Sequence, residues 1–320
     1  MSRALMTFRI HRFEAVALAI VAAAVLGAAA GLWLRLLAFD IPASCFFYGD
    51  QFDPGCATRG AEVDAYFALA GDLGMYVVLA IVILPFALGL IGGVAIVSTE
   101  VERGTAALAW SIAPSRRRWL FGVALPVLLV VLGASIVAGL LSDRLELVRD
   151  PSMQPLRTLH HLGLRGVAIP GYALASFGIA LAVGARLGRV LPALLLAGAL
   201  SIASAVGANL TVDAMLRGEF VAVEESRMLE TRAFSAGHVF DTQILTPDGE
   251  LIPWGTAYER YGEAVYPENV AFDGRFRTFY LVTPGELYPI AEWRVAIILG
   301  AIGLSGIVFA FAIVERRRPT

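Results

Sequence analysis

The chain has 320 residues, of which 58% are hydrophobic and only 16% charged, and a formal net charge of −2; its mean hydropathy is +0.72. Soluble domains carry about 45–50% apolar and ~25% charged residues, so this composition excludes a water-solvated globule and places the chain in a bilayer, with no nucleic acid expected among its partners. Every basic residue is arginine, whereas a phosphate-binding loop of the G-x-x-x-x-G-K-[ST] type needs a lysine to reach the phosphates; any nucleotide chemistry must come from another chain.

Residues 1–14 place Arg3, Arg9, His11 and Arg12 among Leu5, Met6, Phe8, Ile10 and Phe13, ahead of an apolar run over 15–34. A cleaved signal peptide has a similar plan, and Ala28, Ala29 and Ala30 imitate its cleavage site. The run is long enough to cross ~30 Å of hydrocarbon at ~1.5 Å per residue, whereas a signal's apolar region is only ~7–15 residues. An uncleaved first span is therefore expected, preceded by an amphipathic helix lying at the interface.

Residues 39–70 form the first loop and hold the chain's two cysteines, Cys45 and Cys56. A disulfide is expected if the loop faces an oxidising compartment; unpaired thiols are the alternative, because sequence does not supply the Cα separation that decides. A second span is read at 73–97, with Pro85 inside it, which neighbouring helices in a membrane can accommodate. A polar interruption over 99–119 leads to a third span at 120–141 and a mixed-charge loop at 142–165. His160 and His161 in that loop are adjacent, which points them to different sides of any helix, so the reading is solvated loop rather than metal site.

Two further spans, 166–184 and 190–210, are joined by a tight hairpin at 185–189. The polar segment 211–290 comes next. Within it 212–232 reads as helical, and 239–254 alternates around Thr246-Pro247-Asp248-Gly249, a hairpin-turn signature. Such a segment makes a small domain with too little core to be stable alone. The last part, 291–320, contains a span at 293–314 and a basic tail. The fold expected is thus an all-α polytopic membrane protein: six transmembrane helices, an N-terminal interfacial helix, a short cytoplasmic helix after the second span, and a small mixed extracellular segment between spans five and six.

Orientation follows from arginines in short loops. With the N-terminus in the cytoplasm, Arg3/Arg9/Arg12, Arg103/Arg116/Arg117/Arg118, Arg186/Arg189 and Arg316/Arg317/Arg318 all fall inside, as do both termini. The cysteine loop then falls outside, in agreement with the disulfide expectation. Arg35 and Arg294 lie near outer span ends, where their heads snorkel to the lipid headgroups.

The interruption over 99–119 has a shape of its own. Glu100 and Glu102 extend the second span beyond the membrane, Gly104 is a natural helix stop, and Thr105 can cap a new helix, 106–112, which Pro114 ends. Leu108 and Ile112 share a face of that helix at i, i+4, with Trp110 projecting elsewhere. Arg116, Arg117 and Arg118 follow at the re-entry point and suit anionic headgroups; Glu100 and Glu102 are free to pair with a partner, or with Arg103 and Arg116. A short apolar-faced helix held at a membrane surface either rests on lipid or plugs into a partner's groove.

The pattern Glu100, Glu102, Gly104, Thr105, followed by Pro114, Ser115, Arg116, Arg118, Trp119 and Leu120 entering a span, resembles the ABC-2 type permease subunits of ABC transporters, particularly those of actinobacteria. The likeness extends to the basic N-terminal segment, the six-span layout and Pro284-Gly285-Glu286-Leu287-Tyr288 before the last span; Phe121, Gly122 and Phe8 depart from residues frequent there. The resemblance implies a permease in the bacterial cell membrane, an exporter; spans with few polar residues fit a hydrophobic or amphipathic small molecule as its cargo, and fit ordinary helix packing equally well. Its 99–119 segment would be the coupling helix, seated in a separate ABC ATP-binding subunit. Coupling would fall to Glu100, Glu102, Gly104, Thr105, Leu108, Ile112, Pro114 and Arg116. ATP and Mg would bind on that partner, with no cofactor, metal or catalytic residue on this chain, and the pathway would need a homodimer or heterodimer of permeases.

Two other classes compete. A membrane-embedded enzyme needs convergent ionisable residues at depth, and the span interiors offer almost none; a His-Glu-x-x-His motif and a G-x-S-x-G elbow are both missing. A receptor or assembly protein would bind its ligand through 211–290 and use the spans as an anchor, but six spans are more than an anchor needs.

Overall fold

The computed structural model describes residues 12–46, 54–149, 159, 162–224, 238–265 and 276–317. The expected interfacial helix before Arg12, and the pair His160 and His161, lie outside the described residues. In chain order the elements are α1 (Arg12–Leu37), α2 (Gly60–Ala68), α3 (Gly74–Glu102), α4 (Ala106–Ile112), α5 (Arg116–Arg149), α6 (Ala168–Leu187) and α7 (Val190–Leu216). Then come β1 (Val221–Glu224), β2 (His238–Leu245), β3 (Leu251–Pro253), α8 (Trp254–Tyr261), β4 (Arg277–Thr283) and α9 (Tyr288–Arg316). Six helices among the described residues are long and apolar enough to cross a membrane. The chain divides into two compact units, one made of Met1–Ser152, Gly163–Leu210 and Glu292–Thr320, the other of Met153–Leu162 and Thr211–Ala291.

The first unit is built around α6. Its apolar stretch is 72% buried against 17% for that of α1, although both are apolar enough to span. α6 buries Gly171, Ala173, Ala175, Ser176, Gly178, Ala180 and Gly184 against its neighbours, whereas a Cβ added at Gly27 or Gly31 of α1 would meet nothing within 4 Å. Small residues let backbones approach closely, which is what drives helix association in lipid, where apolarity alone gives no preference for protein over solvent. On the α3 side a Cβ added at Gly93 would stand 2.6 Å from the Phe177 carbonyl oxygen. On the α9 side one added at Gly178 would stand 2.0 Å from the Gly303 carbonyl oxygen, and one at Gly303 would stand 2.4 Å from that of Leu174. Three backbones therefore run in direct contact through the middle of the bundle.

Two loops are shorter than the sequence reading has them. Gly60–Ala68 is helical and continues through a π-helical turn, Leu69–Leu73, into α3, so the cysteine loop ends before Gly60. Tyr66 is buried there and meets Phe46 with ring centroids 4.9 Å apart and Phe39 at 5.6 Å. Residues 142–149, read as loop, continue α5, with Ser142, Leu145 and Glu146 buried. Hydropathy marks only the stretch that matches the hydrocarbon, and both helices run past it. Arg149 at the end of α5 donates from Nε to the Ala70 carbonyl at 3.1 Å, within the π turn; π turns leave irregular carbonyls that need such donors. Cys45 and Cys56 are joined by a disulfide, Cα to Cα 5.5 Å.

The second unit holds an antiparallel sheet of order β1-β4-β2-β3. The hairpin at Thr246–Gly249 forms as read: Gly249 takes a φ of +81°, its N–H donates to Thr246 O at 2.9 Å, and Thr246 N–H donates to Glu250 O at 2.9 Å. Ile244, Ile252, Ala257, Val265 and Phe276 form a small core under α8. Of the helix expected over 212–232, the first residues belong to α7, the middle is not helical, and 225–232 lie outside the described residues. α7 stops at Leu216, a short turn follows to Glu219, and Val221–Glu224 is a strand paired with β4 from Val282 to Phe279. Gly218 breaks the helical run, and the alternating, β-branched Val221 and Val223 suit a pleated surface.

Candidate functional site

The segment that follows α3 is assembled from local chemistry first. Arg103 closes the helix, and Gly104 turns left-handed at φ +70°. Its N–H donates to Val101 O at 3.1 Å, while Thr105 N–H donates to Glu100 O at 2.9 Å. That pair of bonds is a Schellman stop, which requires a residue at positive φ, the conformation glycine adopts without penalty. α4 then runs over Ala106–Ile112 and ends where Ala113, preceding Pro114, is extended at ψ 144°. Thr105 departs from its expected role. It sits at the cap position without a side-chain cap bond; its hydroxyl donates to the Glu100 carboxylate instead.

The two faces of α4 differ. Ala106 and Trp110 turn inward and join Ile96, Val97, Leu120, Val123 and Phe177 in one apolar cluster. Trp110 meets Trp119 edge-on at 6.2 Å, and the Arg116 guanidinium lies 5.0 Å from the Trp110 ring, within the range of a cation–π attraction. Leu108 points the other way and is 64% exposed. Of Ile112 only the backbone is described. Ser115 accepts the Arg118 N–H at 3.2 Å and so caps α5.

Glu102, Arg116 and Arg117, read as facing lipid or a partner, are engaged within the bundle. The Glu102 carboxylate accepts the Val190 N–H at 2.8 Å, at the start of α7. Arg116 donates to the Glu315 carbonyl at 3.1 Å and to the Arg317 carbonyl. Arg117 Nε donates to the Glu315 carboxylate at 2.9 Å, and Arg317 donates to the Ala185 carbonyl at the end of α6. These partners are some 88 to 201 residues apart in the chain, and no local pattern announces them.

At the other end of the bundle the structure gathers polar groups that the sequence reading missed. Glu292 is 2% exposed and accepts the Gly163 N–H at 3.1 Å and the Ala168 N–H at 3.2 Å. Asn209 donates to the Tyr172 hydroxyl at 2.6 Å, and Arg165 is buried as well. The one available signal was an acidic residue set at the edge of an apolar run. Among the described residues no three His, Cys, Asp or Glu side chains converge as a metal site would require.

No curated protein and no solved structure matches the chain. A family model described as ABC-2 membrane transporter related matches residues 15–213, well over half of the chain and including α4 with its flanking spans. The chain therefore belongs to the ABC-2 membrane transporter related family and is a multi-pass membrane protein, a permease subunit of an ABC transporter.

Proposed function

We propose that this permease is driven by a separate ATP-binding subunit that grips α4, and that it exports a hydrophobic or amphipathic small molecule. ATP and Mg bind on that subunit, and two permease chains line the pathway. The arginine distribution supports placing both termini and α4 in the cytoplasm. The observation that carries the reading is the division of labour on α4. Trp110 and Ala106 fix one face to the bundle while Leu108, exposed on the other face, offers an apolar knob to a groove. An apolar cargo fits spans with few polar side chains. ATP-driven closure of the partner would then move α4 and shift the helices packed against it, a rigid-body transition of a known kind.

The test is co-purification from membranes followed by ATP hydrolysis of the complex in lipid. The wild-type chain is expected to bring down an ATP-hydrolysing subunit, and Leu108→Glu to lose it while inserting normally. A wild-type chain that recovers no such subunit, or a Leu108→Glu chain that recovers it in full, would overturn the reading.

A further inference from the structure

We propose that Arg317, just past the end of α9, is the residue that transmits movement of α4 to the end of α6. The inference rests on the function proposed above and names a relay that this function leaves unspecified. The relay begins on α4, where Trp110 lies under the guanidinium of Arg116 at 5.0 Å. Arg116 is the first residue of α5 and also binds the carbonyls of Glu315 and Arg317, so it grips the tail of α9 by its backbone. Arg317 in turn donates through its own guanidinium to the Ala185 carbonyl, in the last turn of α6. That carbonyl is one of the orphans that every helix C-terminus leaves, and a cation is favoured there by the helix dipole.

The turn joining α6 to α7 is gripped from two sides. Gly188 adopts φ +64°, and a Cβ at that position would stand 2.4 Å from Arg317 Nη2 and 2.6 Å from Val101 Cγ1. On the far side of the turn the Val190 N–H is held by Glu102 from the end of α3. The turn thus sits between the end of α3, which leads into α4, and the tail of α9, which α5 holds. Its attachments are made by side chains to backbone groups, which fix position independently of the side chains on the turn. The site is part-exposed, so water can replace these bonds as they break and reform. A displacement of α4 reaches α7 through Glu102 as well, whereas Arg317 is the polar link to the end of α6.

Arg317 is on this account a positioning residue. The experiment uses the complex of the full chain with the ATP-hydrolysing subunit it recovers, reconstituted in lipid, carrying spin labels at Ser111→Cys on α4 and at Leu187→Cys, an exposed position at the end of α6. Distances are read in each apo complex and after trapping with ATP and vanadate. In the wild type the separation between equivalent labels on the two permease chains is expected to change at both positions. In Arg317→Leu the α4 separation should still change, while the α6 change falls at least threefold and ATP hydrolysis becomes uncoupled from transport of a fluorescent amphipathic dye. Arg317→Lys, which keeps a donor within reach of Ala185, should restore most of both. Full α6 movement in Arg317→Leu overturns the relay, as does loss in Arg317→Leu that Arg317→Lys fails to rescue. A wild-type complex in which neither label moves, or no recovered subunit at all, instead defeats the function on which the relay rests.

Discussion

The two ends of α6 are both held by α9, and they are held in opposite ways. At the start of α6 the free groups are N–H donors, and Glu292 supplies a carboxylate to Ala168 and to Gly163 just upstream. At its end the free groups are carbonyls, and Arg317 supplies a guanidinium to Ala185. Each charge suits the end it serves, by hydrogen bonding and by helix dipole. Burial separates the two: Glu292 is almost fully enclosed, whereas the Arg317 site is part-exposed. A buried carboxylate held by two backbone donors is costly to disturb, because each group left without a partner costs about 1–3 kcal/mol. A wet guanidinium–carbonyl contact exchanges cheaply with water. The same helix pair is thus fixed at one end and adjustable at the other, and the adjustable end is the one that carries α4.

The largest effect should come from breaking the contact that joins the two ends. Gly178→Leu forces a side chain into a space where even a Cβ meets the Gly303 carbonyl oxygen at 2.0 Å. Overpacking usually costs ~1–3 kcal/mol and more where backbone must move, so this variant should yield little monodisperse protein in detergent. Gly300→Ala, one turn away on α9 with open space around it, should retain full yield; equal behaviour of the two would contradict the close packing. Next comes the buried end. Glu292→Ala orphans the Gly163 and Ala168 donors, a loss of roughly 2–5 kcal/mol, readable as a clear drop in thermal melting in detergent. Glu292→Gln keeps an acceptor oxygen for only one of the two donors and should lose at least half as much.

Smaller effects belong to the adjustable end. Gly104→Ala keeps the Schellman bonds but places a Cβ at φ +70° in open space, which costs about 1 kcal/mol and should leave folding intact while lowering ATPase coupling modestly. Gly104→Pro removes the N–H that donates to Val101 and cannot take that φ, so coupling should fail outright even where insertion succeeds. The smallest change is expected at Arg117, whose ion pair with Glu315 joins two exposed side chains. Such pairs contribute about 0–1 kcal/mol, and Arg117→Gln should leave melting temperature and coupling within error. A strong defect there would move weight from Arg116 and Arg317 to this pair.

The sequence revealed those parts of the molecule whose causes are local. Gly104, Thr105 and Pro114 mark the boundaries of α4 because a positive φ and a pre-proline restriction act on neighbouring residues. Thr246 to Gly249 marks the hairpin for the same reason, and the six apolar runs follow from the thickness of a bilayer. What the sequence hides is tertiary. Nothing near Arg116 says that its partners are the carbonyls of Glu315 and Arg317, so a basic cluster read naturally as a headgroup anchor. Glu292 gives only the hint of an acid at a span edge, and its partners lie more than a hundred residues away. Hydropathy also ends α5 too near the hydrocarbon and misses α2, because helices extend past the membrane wherever packing, as at Tyr66 and Leu145, stabilises them. The strand at Val221–Glu224 needs β4, some sixty residues later, before its alternation means anything.

The most direct measurement on the central claim is photo-crosslinking from the exposed face of α4. A benzophenone amino acid at position 108, in the full chain within native membranes, is predicted to give a covalent adduct with the ATP-hydrolysing subunit, and the same probe at Leu191, an exposed α7 position, to give none. Equal adduct from both positions, or none from 108 in a membrane where the subunit is present, would contradict the account.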